Sequence, residues 1–568
     1  MCGIFGYIGR GDATQIVFNG LKQLEYRGYD SWGVVTLSKR KLSVEKHIGK
    51  IGSSQIHLPS STTALGHTRW ATHGGVTDDN AHPHQDCSGT IAVVHNGIIE
   101  NYLPLKEKLL AQGHKFTSQT DTEVFAHLVE EGMKHQSFIT SVRQSFRRIK
   151  GLNTLVAMDC EGTLVACKNG SPLVVGKGDS GEIYVSSDIP SLLASTKNLA
   201  VIEDGGIVVI QGGKLVTPLK FKKIIMDQEL ADKGRFSHYL LKEIFDQPES
   251  LRRLANADQA NISVARAMLS QARSIYAVGC GTAYFAMLTA SYLFAQGGLR
   301  VVPLAANEFG SFAHLLDHDS VAIFASQSGE TMDTIQALRL AKLSGAKTIG
   351  LVNVPGSTLA READIYIPLL CGIERSVASS KAFTGMLGTL LLLIGQHQQV
   401  TKASVLIDQM LKEKLPQRIA ALAQKLVSHQ HLFLIGRGLN YPIALEGALK
   451  LKETSYLHAE GLAGGELKHG MIALIEIGTP CIVIVADDSK KSDILSGAME
   501  LKARGAWIIG IGPHQEAVYD EWIEVPNKAE ISPLLNVVPL QLLGYYLAVA
   551  RGIDPDMPRN LAKSVTVK

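Results

Sequence analysis

Cys2 follows Met1 directly and opens the run Cys2-Gly3-Ile4-Phe5-Gly6. With Met1 removed, one residue would carry both a thiol nucleophile and an α-amine, whose ordinary pKa of about 7.7–8.0 suits a general base near neutral pH. Read alone, Met-Cys-Gly also fits a small buried cysteine on an N-terminal strand. A second chemical feature is Ser326-Gln327-Ser328-Gly329-Glu330-Thr331, lying between an apolar run at 320–325 and a helical pattern that carries Ile335, Leu338 and Ala341. A hydroxyl-rich turn at a helix N-terminus offers unpaired N–H groups and the positive end of the dipole to an anion. Without a Walker lysine, the pattern suits a sugar phosphate better than a nucleoside triphosphate, and its alternative is a plain capping turn. Gly279-Cys280-Gly281-Thr282 forms a similar turn but continues Ala283-Tyr284-Phe285, without the third glycine of a dinucleotide fingerprint, so no NAD and no other cofactor is expected. Glu446, Lys450 and Glu453 stand at i, i+4 and i+7, a helical face of alternating charge whose simplest reading is a solvated ion-pair stripe.

The elements that must carry these groups differ between the two halves. Up to about residue 220 the pattern is of short strands broken by glycine and turn residues, with continuous apolar runs such as 91–94 and 207–210 that suit strands buried on both faces of a layered α+β domain. Between Asp12 and Arg27, Ile16, Val17, Leu21 and Leu24 share one helical face, and Asp121-Thr122-Glu123 predicts the capped start of another helix. The stretch from Lys220 to Gln247 is strongly polar and marks a linker with helical content. Beyond it the chain repeats: 274–281 resembles 431–438 at an offset of 157 residues, and 340–346 resembles 500–506 at 160. Each copy alternates apolar strands with helices, predicting two parallel, doubly wound α/β subdomains. At the 160 offset, Ser326, Gln327, Ser328 and Thr331 fall opposite Ala486, Asp487, Asp488 and Lys491, and two carboxylates would repel phosphate, so only the first copy is expected to hold it.

Composition bounds these readings. A chain of 568 residues has room for two to four domains. Its net charge of +3 comes from 56 basic and 53 acidic residues with no basic stripe, which argues against a nucleic-acid surface. Apolar runs such as 390–394 are far short of the roughly 18 residues a membrane span needs, and no signal-like segment opens the chain, so neither membrane nor secretion is expected. Seven scattered cysteines (2, 87, 160, 167, 280, 371, 481) without Cys-x-x-Cys spacing predict reduced thiols in a cytoplasmic protein. His82-Pro83-His84 followed by Cys87 brings metal-ligand types together but lacks the remaining spacing of a zinc site, and no metal is expected.

Taken with the opening run, the motifs at 24–31 (LEYRGYDS), 66–74 (GHTRWATHG), 95–101 (HNGIIEN) and 120–123 (TDTE) resemble an N-terminal-nucleophile glutaminase domain. Adding the 326–331 turn, 377–381 (VASSK), the Lys450/Glu453 helix and the tail 559–566 (RNLAKSVT), the chain from residue 2 to 568 resembles the glucosamine-6-phosphate synthase family. The resemblance implies a glutaminase domain of layered α/β/β/α type at 2–218, a linker at 219–250, sugar isomerase (SIS) subdomains at 251–400 and 401–550, and a tail at 551–568 that closes the sugar site. It implies conversion of fructose 6-phosphate and glutamine to glucosamine 6-phosphate and glutamate, the first step of hexosamine biosynthesis. A different keto-sugar, or a non-catalytic sugar-phosphate sensor, are the competing readings.

By the same resemblance Cys2 attacks the glutamine amide with its α-amine as base, and Asn96 with the Gly97 N–H forms the oxyanion hole. Arg69 clamps the glutamine α-carboxylate, Asp121 meets its α-ammonium, Thr72 and His73 complete that loop, and Trp70 gates an ammonia channel. Ser326, Gln327, Ser328 and Thr331 hold the sugar phosphate, with Gly281, Thr282, Val377 and Ser379 nearby. Lys563 forms an imine with the C2 ketone, Glu453 moves a proton between C1 and C2 with Lys450 as its neighbour, and His469 opens the ring from the other subunit of a homodimer. The chain departs from the family's usual pattern at Ala283, at Gly470-Met471 and at 372–376 (GIERS).

Overall fold

In the strand Gly3–Ile8, Ile4 and Ile8 join one apolar core while Phe5 lies against Gly20 of the helix Ala13–Leu24, so both faces of the strand are buried. The computed structural model describes residues 2–224 and 233–566. They divide into two compact units, Met1–Gln228 with Ala562–Lys568, and Glu229–Leu561.

Two antiparallel sheets build the first unit. The larger runs, in spatial order, Lys222–Lys223, Asn198–Val201, Val174–Lys177, Ile183–Ser186, Gly3–Ile8, Thr63–Arg69, Ser31–Ser38, Lys41–Ile48. The smaller runs Lys214–Leu215, Ile207–Gln211, Leu164–Asn169, Asn153–Asp159, Ile91–Gly97, His84–Gln85. Period-two alternation explains the unbroken apolar runs: Ala92 and Val94 point into the core between the sheets with Ile4 and Leu65, whereas Ile91 and Val93 point outward to Phe125, Val129 and Val142 of the helices Glu123–Met133 and Phe138–Arg148. With Ala13–Leu24 covering the larger sheet, the layers are α/β/β/α, as expected.

The second unit contains the duplication. One five-stranded sheet is ordered Val301–Ala305, Ser274–Gly279, Ser320–Ser326, Lys347–Val352, Ile365–Pro368, and the other His458–Ala463, His431–Gly436, Pro480–Ile484, Trp507–Gly512, Glu521–Glu524. Every neighbouring pair is parallel, and the order is the same in both. In such a sheet the winding reverses between the first and third strands, here Ser274–Gly279 and Ser320–Ser326, and the crevice beyond their carboxyl ends is where ligands bind.

Two helices are apolar almost throughout. Lys381–Leu393, which contains 390–393 of the apolar run and is capped by Ile394, is buried along its whole length. The segment Ala529–Ala550, overlooked by the sequence reading, is long and apolar enough to cross a membrane, yet 83% of its most apolar 18-residue stretch is buried inside the protein. Its helix Ser532–Ala550 packs on the helix Tyr441–Ser455, with Leu540 against Gly447 and Thr454 Oγ1 donating to the Gly544 carbonyl at 2.9 Å.

The polar stretch after 220 contains the helix Tyr239–Phe245 and runs into the helix Gln247–Ala255, both of which belong to the second unit; the part of it at 225–232 lies outside the described residues. The divide expected at 400/401 falls within the helix His397–Lys412. The C-terminal tail also divides. Asp556 accepts from the N–H groups of Tyr239 and Leu240 in the second unit, while Ala562–Lys568 groups with the first, where Thr566 Oγ1 meets Ser171 Oγ at 2.9 Å.

Candidate functional sites

Cys2 immediately precedes its strand, and Gly3 pairs with Thr68 on the strand Thr63–Arg69. The thiol rests against the peptide that follows that strand: Trp70 N–H donates to Sγ at 3.4 Å, and Sγ faces the Trp70 carbonyl at 3.6 Å. Burial of the sulfur pushes the thiol pKa up, while the Trp70 N–H and the Arg69 charge pull it back. A buried Arg27–Asp188 ion pair at 3.1 Å steadies the strand start, with Arg27 Nε reaching the Cys2 carbonyl at 3.4 Å and Tyr26 donating to Asp188 at 2.9 Å. The motif at 24–31 is thereby explained as the bracket for residue 2.

Asn96 is the last residue but one of the strand Ile91–Gly97 on the facing sheet. His67 Nε2 lies 2.9 Å from the His95 carbonyl and 3.2 Å from Asn96 Oδ1, two acceptors, so the proton sits on Nε2. Burial drives the His67 pKa down to about 3, which keeps the ring neutral. With Oδ1 thus engaged, Asn96 Nδ2 is a buried donor that has no partner among the described residues. Gly97 adopts φ +140°, and a Cβ there would stand 2.2 Å from the Leu152 carbonyl, so only glycine leaves its N–H where it is. A buried N–H donor with no partner among the described residues is what an oxyanion hole requires, and the His67 that holds Asn96 pairs with Ile4, two residues after Cys2.

Around this pair, the buried Arg69 guanidinium ties down the loop after it by donating to the carbonyls of His73 at 2.6 Å, Gly74 at 3.2 Å and Gly75 at 3.1 Å. Thr72 is exposed and His73 half-buried, the latter edge-on to Tyr102 with ring centres 5.3 Å apart. Asp121 accepts from Ile99 N–H at 2.6 Å, and Thr122 Oγ1 bonds His95 Nδ1 at 2.8 Å. The helix therefore starts where the sequence predicts, but neither side chain caps it, because both already bond the 95–99 segment. Asp30, absent from the predicted site, accepts from Ala71 N–H at 2.7 Å; its only sequence signal is its place within the 24–31 motif.

In the second unit the two turns of the first copy lie side by side, because Val278 pairs with Phe324 in parallel register. Within the second turn, Gly329 N–H donates to Ser326 Oγ at 2.9 Å and Glu330 N–H to Ser328 Oγ at 3.1 Å, with Ser326 and Thr331 hydroxyls 3.1 Å apart. Gly329 has φ +68°, and a Cβ there would come within 2.0 Å of Ser357 Oγ. The helix Met332–Leu343 begins directly after, so hydroxyls and a helix dipole share one point. Gln327 and Ser328 are partly exposed.

The charged helix does not form a solvated stripe. Glu446 and Lys450 are 0% and 2% exposed. Lys450 Nζ reaches Glu453 Oε2 at 2.6 Å and Thr282 Oγ1 at 3.0 Å, and Thr282 donates to Glu446 Oε1 at 3.2 Å. Thr282 opens the helix Thr282–Gln296 of the first copy, next to Gly281 with φ +53°, so this network joins the two copies through one hydroxyl. Burial raises the Glu446 pKa to about 8; for Lys450 burial opposes charge, but Glu446 and Glu453 outweigh it and push its pKa up. Glu446 belongs to this network although the predicted site omitted it, and its i, i+4 spacing to Lys450 was the available signal. Glu374 is a second omission: buried, it accepts from Ser379 Oγ at 2.8 Å and from the N–H groups of Ser380 and Ala382. Val377 is held by its N–H donating to the Asp556 carbonyl at 3.0 Å. His469 ends the turn Gly464–His469 in an exposed position, and no hydrogen bond among the described residues links it to Lys450 or Glu453. Lys563 lies in the tail segment that groups with the first unit.

Comparison with known proteins agrees with this division. A glutamine amidotransferase domain model matches residues 67–194, and a SIS domain model matches twice, at 268–395 and 425–551. The glutamine–fructose-6-phosphate aminotransferases (isomerizing) of Pyrococcus horikoshii and Pyrobaculum aerophilum are 42% and 41% identical to this chain, each alignment covering 100% of both proteins. Among solved structures, the C-terminal domain of glucosamine-fructose-6-phosphate aminotransferase from Francisella tularensis superposes with a TM-score of 0.52 at 32% identity, covering 57% of this chain and 99% of that one.

Proposed function

This chain belongs to the glutamine–fructose-6-phosphate aminotransferase (isomerizing) family, and on that premise we propose that it makes glucosamine 6-phosphate and glutamate from fructose 6-phosphate and glutamine, with glutamine opened at Cys2 and the sugar aminated in the duplicated unit. The observation that carries the first half is the buried, unpartnered Asn96 Nδ2 on a side chain whose other end is locked by His67. Cys2 Sγ attacks the side-chain amide, the negative oxygen of the tetrahedral intermediate accepts from Asn96 Nδ2 and Gly97 N–H, and ammonia leaves a glutamyl thioester for water to hydrolyse. The base is the Cys2 α-amine, which requires removal of Met1. Arg69 and Asp121 meet the two charged ends of glutamine, Thr72 and His73 cover it, and Trp70 gates ammonia.

Phosphate is held by Ser326, Gln327, Ser328 and Thr331, and Gly281, Thr282, Val377 and Ser379 contact the sugar. Glu453, whose charge Lys450 steadies, moves the proton between C1 and C2; Lys563 forms the imine at C2. The exposed position of His469 fits its donation to a partner subunit in a homodimer. All seven cysteines are free of disulfides, which supports a reducing, cytoplasmic setting.

The decisive experiment supplies amide-¹⁵N glutamine with a panel of keto-sugar phosphates and nucleotide-linked keto-sugars. Glucosamine 6-phosphate carrying the label is expected only from fructose 6-phosphate, and preference for another sugar would replace that substrate assignment. Cys2→Ala should abolish glutamine hydrolysis, and Asn96→Ala should lower its kcat by about 10²- to 10³-fold. Hydrolysis retained in Cys2→Ala would remove this residue as nucleophile.

A further inference from the structure

Outside both sites, Cys87, His114, His127 and Glu130 each direct one ligand atom to a common centre, all of these atoms lying within 4.8 Å of one another. Sγ of Cys87 is 3.8 Å from His114 Nδ1 and 3.6 Å from His127 Nδ1. Glu130 Oε2 is 2.8 Å from His114 Nδ1 and 2.9 Å from His127 Nδ1. A tetrahedral zinc ion with Zn–S of about 2.3 Å and Zn–N or Zn–O of about 2.0–2.1 Å separates its ligands by roughly 3.3–3.6 Å. The sulfur-to-nitrogen spacings already approach those edges, and movements of about half an ångström would bring the nitrogen-to-oxygen ones there. We propose that these four residues form a structural site for one zinc-class divalent cation.

The surroundings are those such a site needs. Both histidines point Nδ1 inward and Nε2 outward to a carboxylate, His114 to Glu131 Oε2 at 2.9 Å and His127 to Glu123 Oε1 at 3.7 Å, the arrangement that fixes the tautomer and aims the ring in carboxylate–histidine–metal triads. Lys115 N–H donates to Cys87 Sγ at 3.4 Å, and Cys87 N–H to Glu130 Oε2 at 3.3 Å. The histidines are 6% and 1% exposed, whereas Cys87 is exposed, leaving an entry path from solvent. Three of the four donors were invisible in the sequence. His82 and His84, which precede Cys87, are committed elsewhere: His82 Nδ1 accepts from His95 N–H at 3.3 Å and His84 Nε2 bonds Thr120 Oγ1 at 3.0 Å.

The four donors come from three segments: the turn before the strand Ile91–Gly97, the connection ahead of the helix Glu123–Met133, and that helix itself. Asn96 is the last residue but one of the strand and Asp121 lies two residues before the helix, so a cation here would brace the elements that carry two groups of the proposed glutamine site. It would be a positioning site, since four protein donors fill a tetrahedral ion and leave no open coordination position.

Full-length protein prepared without chelators, exposed to zinc and dialysed, should retain about one zinc per chain by elemental analysis, and so should a Cys160→Ser control that keeps all four donors. Cobalt substituted for zinc should show the visible bands of a tetrahedral ion and a thiolate-to-metal charge-transfer band. Cys87→Ala combined with His127→Ala should lose at least tenfold in metal content, and the zinc-dependent rise in melting temperature, about 5 °C or more for the wild type, should vanish with it. Wild-type protein that retains no zinc overturns the proposal, as does cobalt bound without the thiolate band, a readout that does not depend on the variant folding. Full metal content in the double variant overturns it equally.

Discussion

The two copies of the duplicated unit share a strand order and differ at the same turn. In the first, hydroxyls occupy Ser326, Ser328 and Thr331; in the second, the equivalent stretch holds Asp487 and Asp488. A serine hydroxyl can accept from the turn's own N–H groups and still donate to a phosphate oxygen, whereas an ionised carboxylate can only accept. The second turn is also filled by its own partners. Asp487 bonds Asn527 Nδ2 at 2.9 Å and faces His514 and Lys491 at 3.4 Å, contacts that hold its carboxyl below the usual range, while Asp488 takes the Lys490 N–H at 2.8 Å. What the second copy contributes lies one helix away, in the Glu446, Lys450 and Glu453 group that reaches across to Thr282 of the first. Duplication thus supplied two crevices of the same strand order, of which one carries hydroxyls at its turn and the other lends a charged helix to its neighbour.

The sharpest way to break this division is to neutralise the lent helix. Glu453→Gln should cut sugar amination by about 10²- to 10⁴-fold, the usual contribution of a positioned acid–base group, with glutamine hydrolysis retained. Amination near the wild-type rate, measured by product analysis, would return Glu453 to a structural ion pair. Next in size, Ser328→Ala with Thr331→Ala should raise the KM for fructose 6-phosphate roughly 10- to 100-fold, since a hydrogen bond to a charged group is worth about 1.5–3 kcal/mol. An unchanged KM would place phosphate elsewhere.

Glu446 sharpens the comparison through pH. Its folded pKa of about 8 stands above the ordinary value of 4.5, so between those values the unfolded chain has released a proton that the folded protein retains. Stability should therefore fall as pH rises through that window, and Glu446→Gln should flatten the fall in melting temperature between pH 5 and 8. Identical slopes for the two proteins would mean Glu446 is ionised in place. The smallest effect is expected from Asp487→Asn with Asp488→Asn: exposed polar changes of this kind stay within about 0.5 kcal/mol each, and the sugar KM should not move. A change there as large as in the Ser328/Thr331 variant would erase the distinction between the copies.

Much of this architecture was legible before folding, because it rests on local periodicity. The buried runs at 91–94 and 207–210, the repeat offsets of 157 and 160, and the switch from strand to hydroxyl-rich turn to helix at Ser326–Thr331 are properties of neighbouring residues. Burial of charge was not legible. Spacing puts Glu446, Lys450 and Glu453 on one face but cannot say what that face meets; the apolar helix Ser532–Ala550 and Thr282, from distant parts of the chain, turned an expected solvent stripe into a buried network. The same limit appears at Asn96, whose lone donor exists only because His67 on the opposite sheet takes its oxygen. It appears again at Cys87, whose neighbours in sequence were the wrong histidines and whose neighbours in space, His114 and His127, lie 27 and 40 residues away. Sequence alone determined the residue types and the elements that hold them, since both depend on short-range order. Which groups lose water and which partners they find there is decided only when separate segments pack, because the cost of desolvating a polar atom depends on everything that surrounds it.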